Sequence, residues 1–517
     1  MSGDVLIGID AGTSVIKAVA FDLAGRQIAM ASRRNSYQNL PNGGVEQNMA
    51  RTWDDTCAVL SEVAGAVGPD RVQTLGVTGQ GDGTWLLDAA GAPLHDGWLW
   101  LDARAAAEAR ELAASDGIDV IYRATGTGVN VCQMRTHLLW LSRHAPDLLQ
   151  KASTALHCKD WLYYNLTGVL ATDPTEGVFT FGDFRTRAYS DEVLEALGLV
   201  AQRHLLPEIV DGARQSHGLT AAAAAATGLP QGLPVSLGYV DIICTAFGAG
   251  LYDEAARPGF TILGSTGVHM RFASDADQIH LNTDRSGYTM AFPGSAYAQL
   301  QTNMAATLNV DWILNVACEL LGAQGCDTAP AELLKDLDDR LMEARPGAAL
   351  YHPYISSAGE RGPFTNPSAR ASLTGLDQNT GWFDLVRAIY DGLVLAARDC
   401  YTSMGALPAE IRLSGGAARS VALQRFLAAC LNRPVRTVDQ EEAGAAGAVM
   451  IAGLATGLFE SPAAAAKAWV TPLLQEAKYP DGALTGIYDT LFEAYVASRA
   501  AFPPVWDAQQ TMRGRFA

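Results

Sequence analysis

The chain begins with residue types that fit a phosphate-binding turn. Two short apolar, β-branched runs flank the pentapeptide DAGTS at 10–14, which predicts a hairpin with this turn at its tip. Gly12 lets the backbone approach a phosphate closely, and the hydroxyls and amides of Thr13 and Ser14 are donors to phosphate oxygens. Asp10 is the hard oxygen ligand that Mg²⁺ prefers. Because turns favour the same residues, the alternative is an ordinary polar hairpin turn.

A second polar group follows the next predicted strand. The apolar run 72–78 ends in the loop GQGDG at 79–83, and WLWLDAR follows at 98–104. Such a loop after a buried strand is how open α/β sheets build ligand crevices, and its carboxylates, amide and indoles suit a polyhydroxylated ligand. The candidates here are Gln80, Gly81, Asp82 and Trp100. The alternative for the tryptophans is the core of a strand.

The segment TGTGVNVCQ at 125–133 is a third polar loop, placed before a predicted helix at 136–143. Its Asn130 and Gln133 side chains carry amides, which can pair with ligand hydroxyls. Loop surface is the alternative for each of these residues taken alone.

A fourth candidate is a carboxylate at the start of a helix. The sequence PVSLGYVD at 234–241 predicts a strand over 235–238 and a helix from about residue 240, so Asp241 lies in the first helical turn. A carboxylate in that position is stabilised by the helix dipole. Asp241 is therefore either a catalytic group or a helix-stabilising one.

The opening pattern of strand, glycine-containing turn and strand recurs in the second half. The strand 260–263 leads into GSTG at 264–267 and a further strand at 268–272, about 250 residues after the first hairpin, which indicates a duplicated domain with the site between the copies. We place the domain boundary close to residue 252, giving domains 1–252 and 253–517. A short strand at 411–413 opens onto another loop of backbone donors, SGGAARS at 414–420.

Length and charge limit the classes of protein that remain. The chain has 517 residues, 49% of them hydrophobic, which predicts a globular protein of several domains. Its formal charge of -18 argues against nucleic acid or an anionic membrane as a partner. The eight cysteines form no C-x-x-C pair, and neither a signal peptide nor an apolar run long enough to span a membrane is present. We therefore predict reduced thiols and a cytoplasmic location.

Taken together, these segments resemble the FGGY family of carbohydrate kinases. The resemblance covers nearly the whole chain and rests on nine segments in order: IDAGTS at 9–14, GQGDG at 79–83, W-L-D-A-R at 100–104, KDWL with LTG at 159–168, PVSLGYVD at 234–241, GSTG at 264–267, GER-x-P at 359–363, LSGGAARS at 413–420 and EEAGAAGA at 441–448. It implies an α/β fold of two ribonuclease H-like domains, of the actin and hexokinase type, with the active site in the cleft between them.

The resemblance also implies roles for matching positions. Asp241 would be the catalytic base, Asp10 the contact to Mg²⁺, and Asp82 and Trp100 part of the sugar or polyol pocket, with His269 approaching the acceptor from the second domain or lying in the core. The other pocket candidates are Gln80, Gly81, Asn130 and Gln133. ATP would be held by Gly12, Thr13, Ser14, Lys17, Ser265, Thr266, Gly267, Gly415, Gly416 and Ala417.

Within the family, the sequences of these segments are most similar to those of the branch that acts on erythritol. Many other members have a bulkier pair of residues at the positions of Gly81 and Asp82. This resemblance implies transfer of a phosphoryl group from ATP to a terminal hydroxyl of a linear four-carbon polyol. The alternatives are a kinase for a pentulose such as xylulose or ribulose, or for another polyol such as ribitol, and a non-catalytic sugar sensor on the same fold. A homodimer is expected by family analogy alone.

Overall fold

The computed structural model describes residues 4–513 and contains two large mixed sheets. In the first sheet, three antiparallel strands from the N-terminus are followed by two parallel strands from later in the chain and by a short antiparallel strand at the edge. Its strands, in spatial order, are Gln27–Arg34, Val15–Asp22, Val5–Ala11, Val72–Gly79, Pro234–Leu237 and His217–Gly218. The predicted N-terminal hairpin is thus confirmed, with DAGTS at its tip.

The second sheet repeats this arrangement. Its hairpin strands Gly259–Leu263 and Gly267–Ala273 are antiparallel, and Ile411–Ser414 lies parallel to the first of them, as Val72–Gly79 does to Val5–Ala11. The strands, in spatial order, are Tyr288–Ala291, Tyr297–Asn303, Gly267–Ala273, Gly259–Leu263, Ile411–Ser414 and Val435–Thr437. The predicted pair of ribonuclease H-like domains is confirmed. The predicted boundary at residue 252 falls in the connection 249–258.

Helices cover both sheets. Those of the first half are Met49–Val67, Ala106–Ala113, Ile118–Thr125, Met134–His144, Pro146–Lys151, Cys158–Thr167, Pro174–Phe181, Asp191–Leu197, Ala221–Thr227 and Asp241–Gly248. Those of the second half are Thr307–Ala323, Pro330–Leu333, Leu337–Glu343, Trp382–Ser403, Val421–Leu431, Ala443–Ala455, Pro462–Trp469, Gly482–Ala501 and Pro503–Arg513. None of the helices within residues 4–513 combines the length and the apolar character needed to cross a membrane.

Short elements complete the fold. The short strands are Gln38–Asn39, Val45–Gln47, Trp85–Leu87, Gly97–Trp98, Thr154–Leu156, Ala171–Thr172, Gly182–Asp183, Ala188–Tyr189, Glu208–Ile209, Leu350–His352 and Ser372–Thr374. The 3₁₀ turns are Pro69–Arg71, Val200–Leu205, Ala276–Gln278, Gly416–Arg419 and Thr471–Leu473. All eight cysteines are free thiols, and most of them are buried.

The helix Ala443–Ala455 packs on the sheet of the first half and against the helix Asp241–Gly248. Its small residues allow a backbone-to-backbone approach, as the composition of this segment predicts. A Cβ atom on Gly76 of the sheet would collide with the carbonyl oxygen of Ala448, and one on Gly447 would collide with that of Cys244. This helix therefore joins the two halves beside the site described below.

Two glycine-to-alanine variants should have opposite effects on stability. Gly76→Ala is expected to lower the free energy of unfolding by about 1–3 kcal/mol, because the added methyl group overpacks the contact with Ala448. Gly65→Ala, inside the helix Met49–Val67 with open space around it, should raise that free energy by up to about 1 kcal/mol through helix propensity. Thermal melting of both variants checks the prediction, and equal shifts in melting temperature would contradict it.

One predicted helix begins later than the sequence indicates. The sequence predicts a helix over 301–321, containing Trp312, but the chain forms a strand, Tyr297–Asn303, before the helix Thr307–Ala323 begins. Gln299, Gln301 and Asn303 alternate with less polar residues, which is the period of a strand. Because this strand is buried between two others, pairing across the sheet outweighed the local helical preference.

Candidate active site

A cavity of about 260 Å³ is lined by residues from both halves of the chain. Six of the predicted site residues share it, namely Thr13, Gly81, Asp82, Trp100, Asp241 and Thr266. The remaining lining residues are mostly apolar: Phe179, Val240, Ile242, Val268, Tyr288, Met290, Leu300, Thr302 and Arg361. A few polar groups in an apolar wall are typical of a site for a small ligand.

Asp241 is the first residue of the helix Asp241–Gly248 and lies on the wall of the cavity. Burial, helped by the nearby negative charge of Asp10, raises the pKa of its carboxyl to about 7. The preceding residue is fixed, since the Val240 amide donates a hydrogen bond of 3.2 Å to Thr175 Oγ1. A carboxylate with a pKa near neutrality on the wall of a cavity suits proton transfer.

Asp10 lies near the end of the strand Val5–Ala11, beside the helix Ala443–Ala455. A Cβ atom on Gly444 would collide with Asp10 Oδ2, so the carboxylate lies directly against the first turn of that helix. Burial raises the pKa of Asp10 to about 6, which the positive charge of Lys17 partly opposes. Lys17 itself forms an ion pair of 2.9 Å with Glu442.

The Asp10 carboxylate fits a magnesium ion that is bound together with a nucleotide. Within residues 4–513, no three His, Cys, Asp or Glu side chains are grouped so as to hold a metal. Mg²⁺ is usually bound by one or two carboxylates together with substrate phosphates, and it does not need a cage made by the protein alone. Asp10, next to the predicted phosphate turn, meets that requirement.

Thr13 is held by a chain of side-chain hydrogen bonds. Trp100 Nε1 donates to Thr13 Oγ1 at 2.8 Å, and this hydroxyl donates to Gln80 Oε1 at 2.9 Å. Gln80 Nε2 in turn donates to Gln47 Oε1 at 2.8 Å. Gln80 is buried and does not line the cavity, and its side chain contacts Thr13 and Gln47.

Asp82 has a left-handed backbone, with φ at 53°, that its neighbours hold in place. Its amide donates to Glu176 Oε1 at 3.0 Å, and its Oδ2 accepts from the Tyr288 hydroxyl at 3.0 Å. The side-chain Nδ2 of Asn130 donates to that hydroxyl at 2.9 Å, and the backbone amide of Asn130 donates to Gln133 Oε1 at 3.0 Å. Asn130 and Gln133 therefore support Tyr288 and Asp82 from behind the cavity wall.

Five ionisable side chains, all buried, lie behind this wall. Lys159 Nζ is 2.6 Å from both Asp160 Oδ1 and Asp173 Oδ1. His157 lies between Asp160 and Glu176, with nitrogen-to-oxygen distances of 3.1 and 3.3 Å. Burial raises the pKa of Glu176 to about 8. The segment KDWLYYNLTG at 159–168 predicts a helix ended by a glycine, as the structure has it, but the sequence does not reveal this network, whose only local signal is the charged pair Lys159-Asp160.

His269 does not reach the cavity. It is fully buried in the second sheet, where its Nε2 is 3.0 Å from Asn303 Oδ1 and its Nδ1 is 3.3 Å from Thr261 Oγ1. Burial lowers the pKa of its imidazole to about 4. The position fits the core histidine that the sequence left as the alternative, and the substrate-binding role loses its support.

The two nucleotide loops predicted in the second half follow the carboxyl ends of two neighbouring strands of the second sheet. Gly259–Leu263 and Ile411–Ser414 are parallel, so the loops that follow them, 264–267 and 415–420, are neighbours. Gly415 has φ at 92° and passes close to the backbone of Leu263. Ser14, Ser265, Gly415 and Gly416 are exposed; Gly12 and Ala417 are half-buried; Gly267 is buried.

Arg361 lines the cavity from the second half, and sequence reasoning gave it no role. Its backbone is fixed by Glu360, whose Oε1 accepts from the amides of Met304 and Arg361, each at 2.9 Å. The available signal was a charged pair between glycines in the segment GER-x-P at 359–363. The sequence around Tyr288 has no comparable feature that would point to a place in the cavity wall.

Comparison with known families identifies the architecture. The N-terminal domain model of the FGGY family of carbohydrate kinases matches residues 5–248, and the C-terminal domain model of that family matches residues 259–456. The chain belongs to the FGGY family of carbohydrate kinases. It is therefore a carbohydrate or polyol kinase, and membership of this kinase family implies the use of ATP.

Individual proteins that the chain resembles are kinases of sugars or polyols. The chain is 52% identical over 509 residues to an erythritol kinase of Brucella abortus (strain 2308), covering 98% of each protein. It is 26% identical to a xylulose kinase of Staphylococcus xylosus, covering 95% of this chain and 98% of the relative. The solved structure of a xylulose kinase from Rhodospirillum rubrum superimposes with a TM-score of 0.86 at 27% identity, covering 97% of this chain and all of that one.

Proposed function

We propose that this kinase phosphorylates a terminal hydroxyl of erythritol, with Mg²⁺-ATP as the donor and Asp241 as the general base. The observation that carries the proposal is the position of Asp241, which shares a small cavity with Asp82, Trp100, Thr13 and Thr266. Similarity to an erythritol kinase over nearly the full length supports the choice of acceptor.

Phosphoryl transfer passes through a loose transition state, so the protein mainly aligns the acceptor and stabilises charge. The acceptor hydroxyl oxygen forms a bond to the γ-phosphorus while the bond from that phosphorus to the ADP oxygen breaks, and ADP leaves with the electron pair. The hydroxyl proton passes to the Asp241 carboxylate. Mg²⁺ bound to the nucleotide near Asp10 would supply neutralisation of the phosphate charge.

The two halves contribute different parts. Thr13, on the first half, and Thr266, on the second, face the same cavity, and we assign their hydroxyls and loop amides to the γ-phosphate. The exposed loop of Gly415, Gly416 and Ala417 is assigned to adenosine. The division into 1–252 and 253–517 then places the base on the first half and the adenosine site on the second, while both halves line the acceptor cavity. Closure between the halves would exclude water from the γ-phosphate.

The size of the cavity supports a short acceptor. At about 260 Å³ it lies below the roughly 300–1,000 Å³ typical of pockets for drug-sized ligands. Val240, Met290 and Leu300 supply an apolar surface for a carbon chain, whereas Asp82 and Asp241 supply acceptors for hydroxyls. The similarity to xylulose kinases keeps a pentulose as the second candidate acceptor.

A coupled ADP-release assay tests the proposal. With Mg²⁺-ATP and a panel of erythritol, threitol, glycerol, ribitol, xylitol, xylulose and ribulose, we expect the highest kcat/KM for erythritol. Preference for a pentulose would overturn the assignment of erythritol and leave the kinase reaction in place. ADP release that no acceptor stimulates would instead favour a sugar-sensing role.

A further inference from the structure

The cavity wall carries an unpaired acceptor and an unpaired donor. Asp82 Oδ2 is occupied by the Tyr288 hydroxyl, at 3.0 Å, and by the Cys132 thiol, at 3.7 Å. Asp82 Oδ1, in contrast, is buried without a hydrogen-bond partner among residues 4–513. Arg361 Nε is also buried and, within the same range of residues, unpartnered. Buried polar atoms are normally paired, so both atoms need an explanation.

These two side chains come from opposite halves and face one small space. Asp82, on the first half, is held by Glu176 and by Tyr288 of the second half, and Glu360 holds the backbone of Arg361 on the second half. Both residues line the cavity of about 260 Å³. They are also near enough to interact, because the Arg361 charge lowers the pKa of Asp82 while burial, the larger effect, raises it.

A hydroxyl group complements this pair better than other oxygen groups do. It can donate its hydrogen to Asp82 Oδ1 and accept a hydrogen bond from Arg361 Nε at the same time. A carboxylate only accepts, so it would satisfy Arg361 but would set a second acceptor against Asp82 Oδ1, with like charge whenever Asp82 is ionised. Rejection of a competitor by charge repulsion is a common source of specificity.

We propose that Asp82 and Arg361 form a specificity pair that selects a neutral, hydroxyl-terminated acceptor over the corresponding aldonate. The pair binds the acceptor hydroxyl at the end opposite the one that is phosphorylated. This inference rests on the proposed function and adds that the site recognises the acceptor by its uncharged terminal hydroxyl. For a four-carbon acceptor, the pair distinguishes erythritol from erythronate.

The test compares kcat/KM for erythritol and for erythronate in four proteins: wild type, Asp82→Asn, Arg361→Gln and the double variant. Asp82→Asn replaces the repelling carboxylate by an amide that can donate to a carboxylate. We expect the erythritol-to-erythronate ratio to fall by about 100-fold, with measurable phosphorylation of erythronate. Arg361→Gln should raise KM for erythritol about tenfold with little change in kcat and no gain with erythronate.

The double variant and a control separate this role from a structural one. Because the gain with erythronate requires the Arg361 charge, the double variant should lose it. Exposed Asp54→Asn removes the same charge far from the cavity wall and should leave the ratio unchanged. Binding of Mg²⁺-ADP, followed by calorimetry, should match wild type in Asp82→Asn, which shows that the variant is folded.

The outcomes distinguish this inference from the proposed function. A ratio in Asp82→Asn within about threefold of the wild-type value, or no turnover of erythronate by that variant, overturns the specificity pair while wild-type phosphorylation of erythritol stands. Absence of erythritol phosphorylation by the wild type overturns the proposed function, and this inference falls with it.

Discussion

Replacing Asp241 by asparagine is expected to lower kcat by about 10²- to 10⁴-fold, the usual contribution of a general base, and to leave erythritol binding within a few-fold of wild type. Asparagine preserves the size of the side chain but cannot take the hydroxyl proton. The measurements are steady-state ADP release and calorimetric binding of erythritol. Exposed Asp70→Asn is the matched control and should leave both quantities unchanged. Near-normal kcat in Asp241→Asn would refute the assignment of the base.

The raised pKa of Asp241 predicts how activity depends on pH. Burial raises the pKa of Asp241 to about 7, so the carboxyl is protonated, and inactive as a base, below that pH. The kcat/KM for erythritol should therefore be constant above about pH 7 and fall about tenfold per pH unit below it, because this parameter reports the ionisation of the free enzyme. Residual activity of Asp241→Asn should lack this step, and an unchanged step would point to another group.

Replacing Lys159 by methionine is expected to lower the free energy of unfolding by about 3–5 kcal/mol. The variant leaves Asp160 and Asp173, both fully buried, without the ammonium that lies 2.6 Å from each. For a domain of roughly 250 residues, this loss corresponds to a melting temperature lower by about 6–20 °C. Thermal unfolding followed by circular dichroism measures it.

A second lysine provides the control for this prediction. Lys151 is exposed at the end of the helix Pro146–Lys151, and Lys151→Met should change the free energy of unfolding by less than about 0.5 kcal/mol. Burial opposes the charge of Lys159, but ion pairing with Asp160 and Asp173 outweighs it and raises the pKa above its ordinary range, so this lysine stays charged between pH 6 and 9. A shift of under 2 °C in Lys159→Met, or one that disappears at pH 9, would contradict the role given to this network.

The sequence by itself determined the local framework of the site. Apolar β-branched runs that end in glycine-containing turns predicted the two hairpins and the loop 79–83, because strand and turn preferences act over a few neighbouring residues. The strand-then-helix pattern placed Asp241 in the first helical turn, where the structure has it. Small residues in the segment 442–455 predicted a close helix contact, since the absence of side-chain bulk is a property of each residue alone.

Only the tertiary structure decided which polar residues meet. Asn130 and Gln133 support Tyr288, which lies more than 150 positions further along the chain, and Arg361 faces Asp82 from the other half of the molecule. His269 became a core residue because its strand is buried between two others. Such contacts depend on the pairing and packing of distant segments, and so does the burial that raises the pKa of Asp241. Neither can be read from residue type and spacing, because a single sequence does not record which distant segments pack together.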